Sequence, residues 1–233
     1  MTIKAVLFDK DVTLFDLHAM WLPAYREGAH AMAEACGRSG YVDALLLAGG
    51  YVPETNRIRA GTILASATND EVIDLWTREL GPADQNDGPD RVRAIFHKHS
   101  IRDPIPTTDL RILFTGLRGR DLRIGVATMD TTKAVRSSLG ALDVLRLIDF
   151  AVGFDAGHGA KPEPGMLNAF ADAMSLETHE VAVVGDSVCD LEMGKRGGAG
   201  LLVGVLTGPA ERTDLKDHAD HIIESVGELD TVL

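Results

Sequence analysis

The chain has 233 residues, 45% of them hydrophobic, enough for one large core or two smaller ones and unlike a fibrous or disordered class. Its 35 acidic against 23 basic side chains give a net charge of −12, which repels nucleic acid and anionic membrane surfaces, so an anionic ligand requires locally placed positive charge. No run approaches the roughly 18 apolar residues of a membrane helix, and the first residues lack the basic start and long apolar stretch of a secretory signal. Cys36 and Cys189 are too few for a disulfide framework or a metal cluster, so a cytoplasmic protein with both cysteines as small buried hydrophobes is expected.

Residues 3–8 (IKAVLF) form an apolar, partly β-branched run ending at Asp9, the pattern of a strand buried on both faces. Asp9, Asp11 and Asp16 follow within VLFDKDVTLFD, and Asp16 is placed as the N-cap of the next helix. From residue 15 to about 108 the chain reads as helical. Leu17, Met20, Trp21, Ala24, Ala31, Met32 and Ala35 recur at helical spacing before Gly37 ends the helix. Residues 51–62 (YVPETNRIRAGT) are the least helical stretch, combining Arg57 and Arg59 with Pro53 and Gly61. Thr68 and Glu71 make a capping box for a second helix that buries Val72, Leu75, Trp76 and Leu80. Residues 100–108 (SIRDPIPTT) suit a hinge.

Beyond the hinge, strand-like runs recur at residues 122–128, 147–153, 180–184, 201–206 and, more weakly, 221–223. Helical segments separate them at 130–139, 164–174 and 188–196. Strand and helix in alternation predict an α/β fold with a doubly wound, Rossmann-like parallel sheet built from residues 1–14 and 109–233, interrupted by an all-helical domain at 15–108.

In such a sheet ligands bind outside the carboxyl ends of the strands. There the sequence places Asp9 and Asp11, then Thr128, then Lys161 after a glycine-rich loop, then Asp186 and Asp190 in GDSVCD. Each alone has an ordinary reading: a turn aspartate, an N-cap threonine, a solvated lysine. Together they converge on one rim, where two carboxylates at about 4 Å repel by about 4 kcal/mol at an effective dielectric near 20 and call for a cation. All-oxygen ligation points to a hard ion, Mg²⁺ rather than Zn²⁺, and Lys161, Thr128 and the metal would form the positive pocket for a phosphate.

DKDVT (residues 9–13), Thr128, KPEP (161–164) and GDSVCD (185–190) resemble, in order and spacing, the motifs of the haloacid dehalogenase superfamily, in its phosphoglycolate-phosphatase-like branch. The insert resembles that branch's helical cap. The resemblance implies that Asp9 is the nucleophile and Asp11 the general acid and base. It implies that Asp9, the backbone carbonyl of Asp11 and Asp186 hold Mg²⁺, with Asp190 as helper, and that Thr128 and Lys161 contact the phosphoryl group. The implied activity is hydrolysis of a small phosphorylated metabolite, phosphoglycolate first. Asp11 favours ester cleavage over carbon–halogen or carbon–phosphorus cleavage. A phosphomutase resembling β-phosphoglucomutase and a non-catalytic metal- or phosphate-binding regulator are the alternatives, and no motif bears on oligomeric state.

Three positions depart from the family's pattern. Val12 replaces a glycine, so the turn either uses ordinary dihedrals or is strained. Met129 stands where an asparagine is common. Lys10 replaces an apolar residue and could approach the substrate, with a solvated loop lysine the favoured expectation. Arg57 and Arg59 are candidates to read a second anionic group on the substrate, since a guanidinium matches a carboxylate. His18 and His158 have no nameable partner in the sequence.

Overall fold

A computed structural model of the chain describes residues 2–59, 61–81, 87–100 and 104–233. The chain folds as two compact units, Met1–Asp16 with Asp103–Leu233, and Leu17–Arg102. The exchange falls at 16/17 and 102/103 rather than at 14/15 and 108/109 because the polypeptide pairs with itself there. Thr107 Oγ1 donates to the Thr13 carbonyl at 2.8 Å, the Thr107 N–H to Leu14 at 2.9 Å, and the Asp16 N–H to Ile105 at 2.7 Å. Residues 101–103 of the expected hinge lie outside the described residues.

The first strand, β1 (Ala5–Phe8), has all four residues buried. Along the chain, the residues of the second unit come between β1 and the later strands of its sheet. Here α1 (Leu17–Ala35), α2 (Val42–Gly49), the strands β2 (Tyr51–Val52) and β3 (Arg57–Ile58), α3 (Ile63–Ser66), α4 (Asn69–Leu80) and α5 (Gly88–Ser100) follow in order. The unit is therefore not all-helical: the stretch read as least helical holds a two-stranded antiparallel ribbon, Tyr51 opposite Ile58. Ala24 and Met32 of α1 join Tyr25, Ala29 and Ala33 in a core with Val72, Ile73, Trp76 and Leu80 of α4 and Val92 and Phe96 of α5. Thr68 and Glu71 form both arms of the α4 capping box. Trp76 is fully buried and its indole N–H donates to the Leu45 carbonyl at 3.0 Å, so its one polar atom is satisfied.

The remaining elements complete the first unit: α6 (Leu110–Gly119), β4 (Arg123–Ala127), α7 (Thr132–Ala141), β5 (Phe150–Val152), α8 (Gly165–Met174), β6 (Val181–Gly185), α9 (Val188–Gly197), β7 (Leu201–Val205), α10 (Arg212–Leu215) and β8 (His221–Ile223). The six strands pair in parallel in the order β5-β4-β1-β6-β7-β8. Successive residues of β1 face opposite sides: Leu7 packs with Met166, Leu167 and Phe170 of α8 and Leu191 of α9, while the Phe8 ring lies 5.8 Å from Phe114 of α6. Helices thus cover both faces. Leu147, expected to open a strand over 147–153, instead closes a 3₁₀ turn (Leu145–Leu147), so the edge strand β5 starts only at Phe150. Among the described residues no helix is long and apolar enough to cross a membrane.

Candidate active site at the carboxyl rim of the sheet

Register builds the rim. Phe8 lies opposite both Val126 and Val184, so the chain leaves β1, β4 and β6 at nearly one level, and Asp9 follows with its N–H on the Val184 carbonyl at 2.8 Å. The buried Lys161 is the centre of the first cluster. Its Nζ donates to Asp9 Oδ1 at 2.5 Å and to Asp190 Oδ1 at 2.6 Å. Asp190 also closes the capping box of α9: its Oδ2 accepts from the Ser187 N–H at 3.1 Å and from Ser187 Oγ at 2.5 Å. Asp186, buried, accepts from Thr13 Oγ1 at 3.1 Å.

Asp9, Asp186 and Asp190 each present an oxygen within 4.8 Å of the others. When ionised, three carboxylates and one ammonium leave two negative charges, and buried charge of one sign requires compensation. Burial pushes the Asp9 carboxyl up to about 7; Lys161 pulls the other way, and Asp190 and Asp11 add to the rise. Asp186 is raised well above the ordinary carboxylate range, by burial first and then by Asp190 and Asp9. For Lys161 burial acts downward but the two carboxylates outweigh it and raise the ammonium's pKa. Three hard oxygen donors without His or Cys fit a hard divalent cation, which would supply the missing charge.

A second cluster adjoins it. Asp11 Oδ2 accepts from Thr128 Oγ1 at 3.3 Å, and Asp11 Oδ1 pairs with Lys10 Nζ at 3.2 Å. Lys10 Nζ also donates to Asp130 Oδ2 at 2.6 Å. Lys10 is not the solvated loop lysine expected: its side chain is 6% exposed and held by two carboxylates. Although 38% of the Asp11 side chain is exposed, the atoms packed round its carboxyl raise its pKa against the pull of Lys10. Thr128 is not the N-cap of α7; Thr131 is, and Thr128 Oγ1 instead accepts from the Asp130 N–H at 3.0 Å. Met129 is half-exposed.

Val12, buried, adopts φ 56°, the left-handed region that a β-branched residue resists. Of the two alternatives for this turn, the strained one holds. Thr207 Oγ1 donates to the Val12 carbonyl and pins it. Glycines shape the rim as well: a Cβ on Gly208 would sit 2.1 Å from Asp186 Oδ2, and one on Gly185 2.3 Å from Asp190 Cβ.

Arg57 and Arg59 are exposed residues of the second unit, at and just after β3. His18 Nδ1 accepts from the Ile58 N–H at 3.4 Å. His158 is exposed, its ring 6.4 Å from Phe150. Cys36 is only half-buried and Cys189 is exposed in the first turn of α9, so neither is the buried hydrophobe expected. Asp130, Thr13, Thr207 and Gly208 join the rim without having been singled out for it. Thr13 lay inside DKDVT, where a residue two beyond an acidic pair is a candidate carboxylate partner; the others carry no local signal.

The family model of haloacid dehalogenase-like hydrolases matches residues 3–198. The phosphoglycolate phosphatase of Rhodospirillum rubrum is 31% identical over 130 residues, 53% of this chain and 54% of that one. That of Escherichia coli K12 is 31% identical over 116 residues, 48% and 45%. The chain thus spans about half the length of the curated relatives it matches. A provisionally assigned β-phosphoglucomutase from Thermotoga maritima superposes with a TM-score of 0.72 at 20% identity, over 99% of this chain and 100% of that one, and at that identity shows the shared fold. With the motif-bearing rim and most of its length covered by the family model, the chain belongs to the haloacid dehalogenase-like hydrolases.

Proposed function

We propose that the protein is a Mg²⁺-dependent phosphatase of small phosphorylated metabolites, phosphoglycolate being the first candidate, and that Asp9 is its nucleophile. The observation carrying this reading is the grip of Lys161 Nζ on Asp9 Oδ1 at 2.5 Å beside the Asp186 and Asp190 carboxylates. Lys161 fixes one Asp9 oxygen and leaves attack on phosphorus to the other. The Asp9 oxygen–phosphorus bond forms as the phosphorus–oxygen bond to the leaving group breaks, and Asp11 gives its proton to the departing oxygen. Asp11, now a base, takes a proton from the water that attacks the aspartyl-phosphate and frees phosphate.

Asp9, the Asp11 backbone carbonyl and Asp186 would hold Mg²⁺, with Asp190 beside them anchoring Lys161. Mg²⁺ neutralises phosphoryl charge when bound. The Thr128 hydroxyl donates to Asp11, so a phosphoryl contact by Thr128 requires that bond to be exchanged. The exposed Arg57 and Arg59 are the candidates to read a second anionic group on the substrate. The exposed thiol of Cys189 suits a reducing, cytoplasmic setting.

Release of phosphate from a panel of phosphorylated metabolites, with Mg²⁺ and with chelator, tests the reading. Turnover that needs Mg²⁺ and vanishes in Asp9→Asn is expected. Transfer of the phosphoryl group to a second sugar instead of water would make the protein a mutase, and no turnover on any ester would make it a binding protein.

A further inference from the structure

Lys10 is a buried ammonium that the reaction above does not use. Burying such a charge is expensive unless it is paired, and Lys10 is paired twice, to Asp130 Oδ2 at 2.6 Å and Asp11 Oδ1 at 3.2 Å. The four residues form a closed ring. Lys10 joins Asp11 to Asp130, the Asp130 N–H donates to Thr128 Oγ1 at 3.0 Å, and the Thr128 hydroxyl donates to Asp11 Oδ2 at 3.3 Å. Because Thr128 Oγ1 accepts from Asp130, its own proton is left to point at Asp11.

Asp130 is itself braced. Its Oδ1 accepts from the Thr131 N–H at 2.6 Å, and its carbonyl accepts from the Phe154 N–H at 3.1 Å. Gly153 permits this closeness, since a Cβ there would lie 2.2 Å from the Asp130 carbonyl oxygen. Each Asp11 carboxyl oxygen therefore has one fixed partner, and both partners trace back to Asp130.

We propose that Lys10, braced by Asp130, is a positioning residue that holds the Asp11 carboxyl in the orientation from which it protonates the leaving group. This rests on the reading of Asp11 as the general acid. Without Lys10, Asp11 keeps only the Thr128 bond, and a side chain that is 38% exposed has room to rotate away. A general acid supplies about 10²- to 10⁴-fold, and a displacement near 1 Å can remove about 10²-fold. The loss must scale with how much the leaving group needs a proton.

The test compares kcat/KM, which reports on events up to loss of the leaving group, for two substrates with Mg²⁺ present. One is the best alkyl phosphate of the panel, whose alkoxide leaves poorly; the other is p-nitrophenyl phosphate, whose phenolate leaves with little protonation. Lys10→Met is expected to lower kcat/KM about 10²-fold on the alkyl phosphate and less than about threefold on p-nitrophenyl phosphate. Asp130→Asn, which keeps the backbone N–H on Thr128, carries the same comparison should Lys10→Met not fold. Equal losses on both substrates, or none, would overturn the role of Lys10 while leaving the phosphatase reading intact. An inactive wild-type protein would overturn both.

Discussion

Val12 allows burial to be weighed against backbone strain at one position. Its side chain is 7% exposed and its φ is 56°. Val12→Ala removes two buried carbons, about 1.6 kcal/mol at about 0.8 kcal/mol each, and keeps the Cβ that clashes in this conformation. Going on to glycine removes one more carbon, about 0.8 kcal/mol, and adds about 0.5–1 kcal/mol of unfolded-state entropy. It also relieves about 1–2 kcal/mol of left-handed strain. The relief nearly cancels the two losses, so Val12→Gly should be about as stable as Val12→Ala. At an ordinary φ, glycine would be worse than alanine by about 1.5 kcal/mol. Thermal unfolding followed by circular dichroism, in chelator, reads the difference. For a chain of this size about 2–4 °C corresponds to 1 kcal/mol, so both variants should melt about 3–6 °C below wild type. Val12→Gly melting well below Val12→Ala would mean that no strain is relieved, and Val12→Gly melting above wild type would mean that strain outweighs burial. Either result refutes the reasoning.

The rim makes three further predictions. Asp9, Asp186 and Asp190 offer oxygens within 4.8 Å of each other, so an ionised pair repels by about 3 kcal/mol at an effective dielectric near 20. At pH 8 in chelator Asp186→Asn should therefore raise the melting temperature by about 6–12 °C, while Mg²⁺ ceases to add stability; a lowered melting point in chelator would contradict this. Gly208→Ala places a Cβ 2.1 Å from Asp186 Oδ2 and should weaken Mg²⁺ binding at least about tenfold by calorimetry, and unchanged affinity would exclude the crowding. Burial raises the folded-state pKa of Asp9 from 3.8 to about 7, with Lys161 opposing, and raises Asp186 as well. The folded state then binds more protons between those values. The stability this contributes is present below the unfolded pKa and is lost as pH rises through about 7. Metal-free protein should melt higher at pH 5.5 than at pH 8, and Asp9→Asn should flatten that slope; a slope unchanged by Asp9→Asn would contradict the assignment.

The neighbourhood of Asp9, Lys161, Asp186 and Asp190 was legible because a parallel sheet brings its strand ends to one edge, whatever the distance along the chain. The helix α4 was legible for a local reason, its capping box and the apolar spacing of Val72, Trp76 and Leu80. What stayed hidden depends on tertiary partners. Lys10 reads as a surface lysine until Asp130, 120 positions away, is folded against it. Gly208 looks like any turn glycine until Asp186 lies where its side chain would be. The β2–β3 ribbon has two residues per strand, too few for a period-two pattern. The exposure of Cys189 is set by which side of α9 faces the sheet, and thiol chemistry in the sequence carries no trace of that.

The central claim is that a phosphoryl group passes through Asp9. Its most direct test is acid quenching of the protein during turnover of its best phosphate ester with Mg²⁺, followed by peptide mass analysis. The mass of one phosphoryl group is expected on the peptide that contains Asp9, present during turnover and missing in Asp9→Asn. Full turnover by Asp9→Asn, or a phosphoryl group found on any other residue, would contradict it.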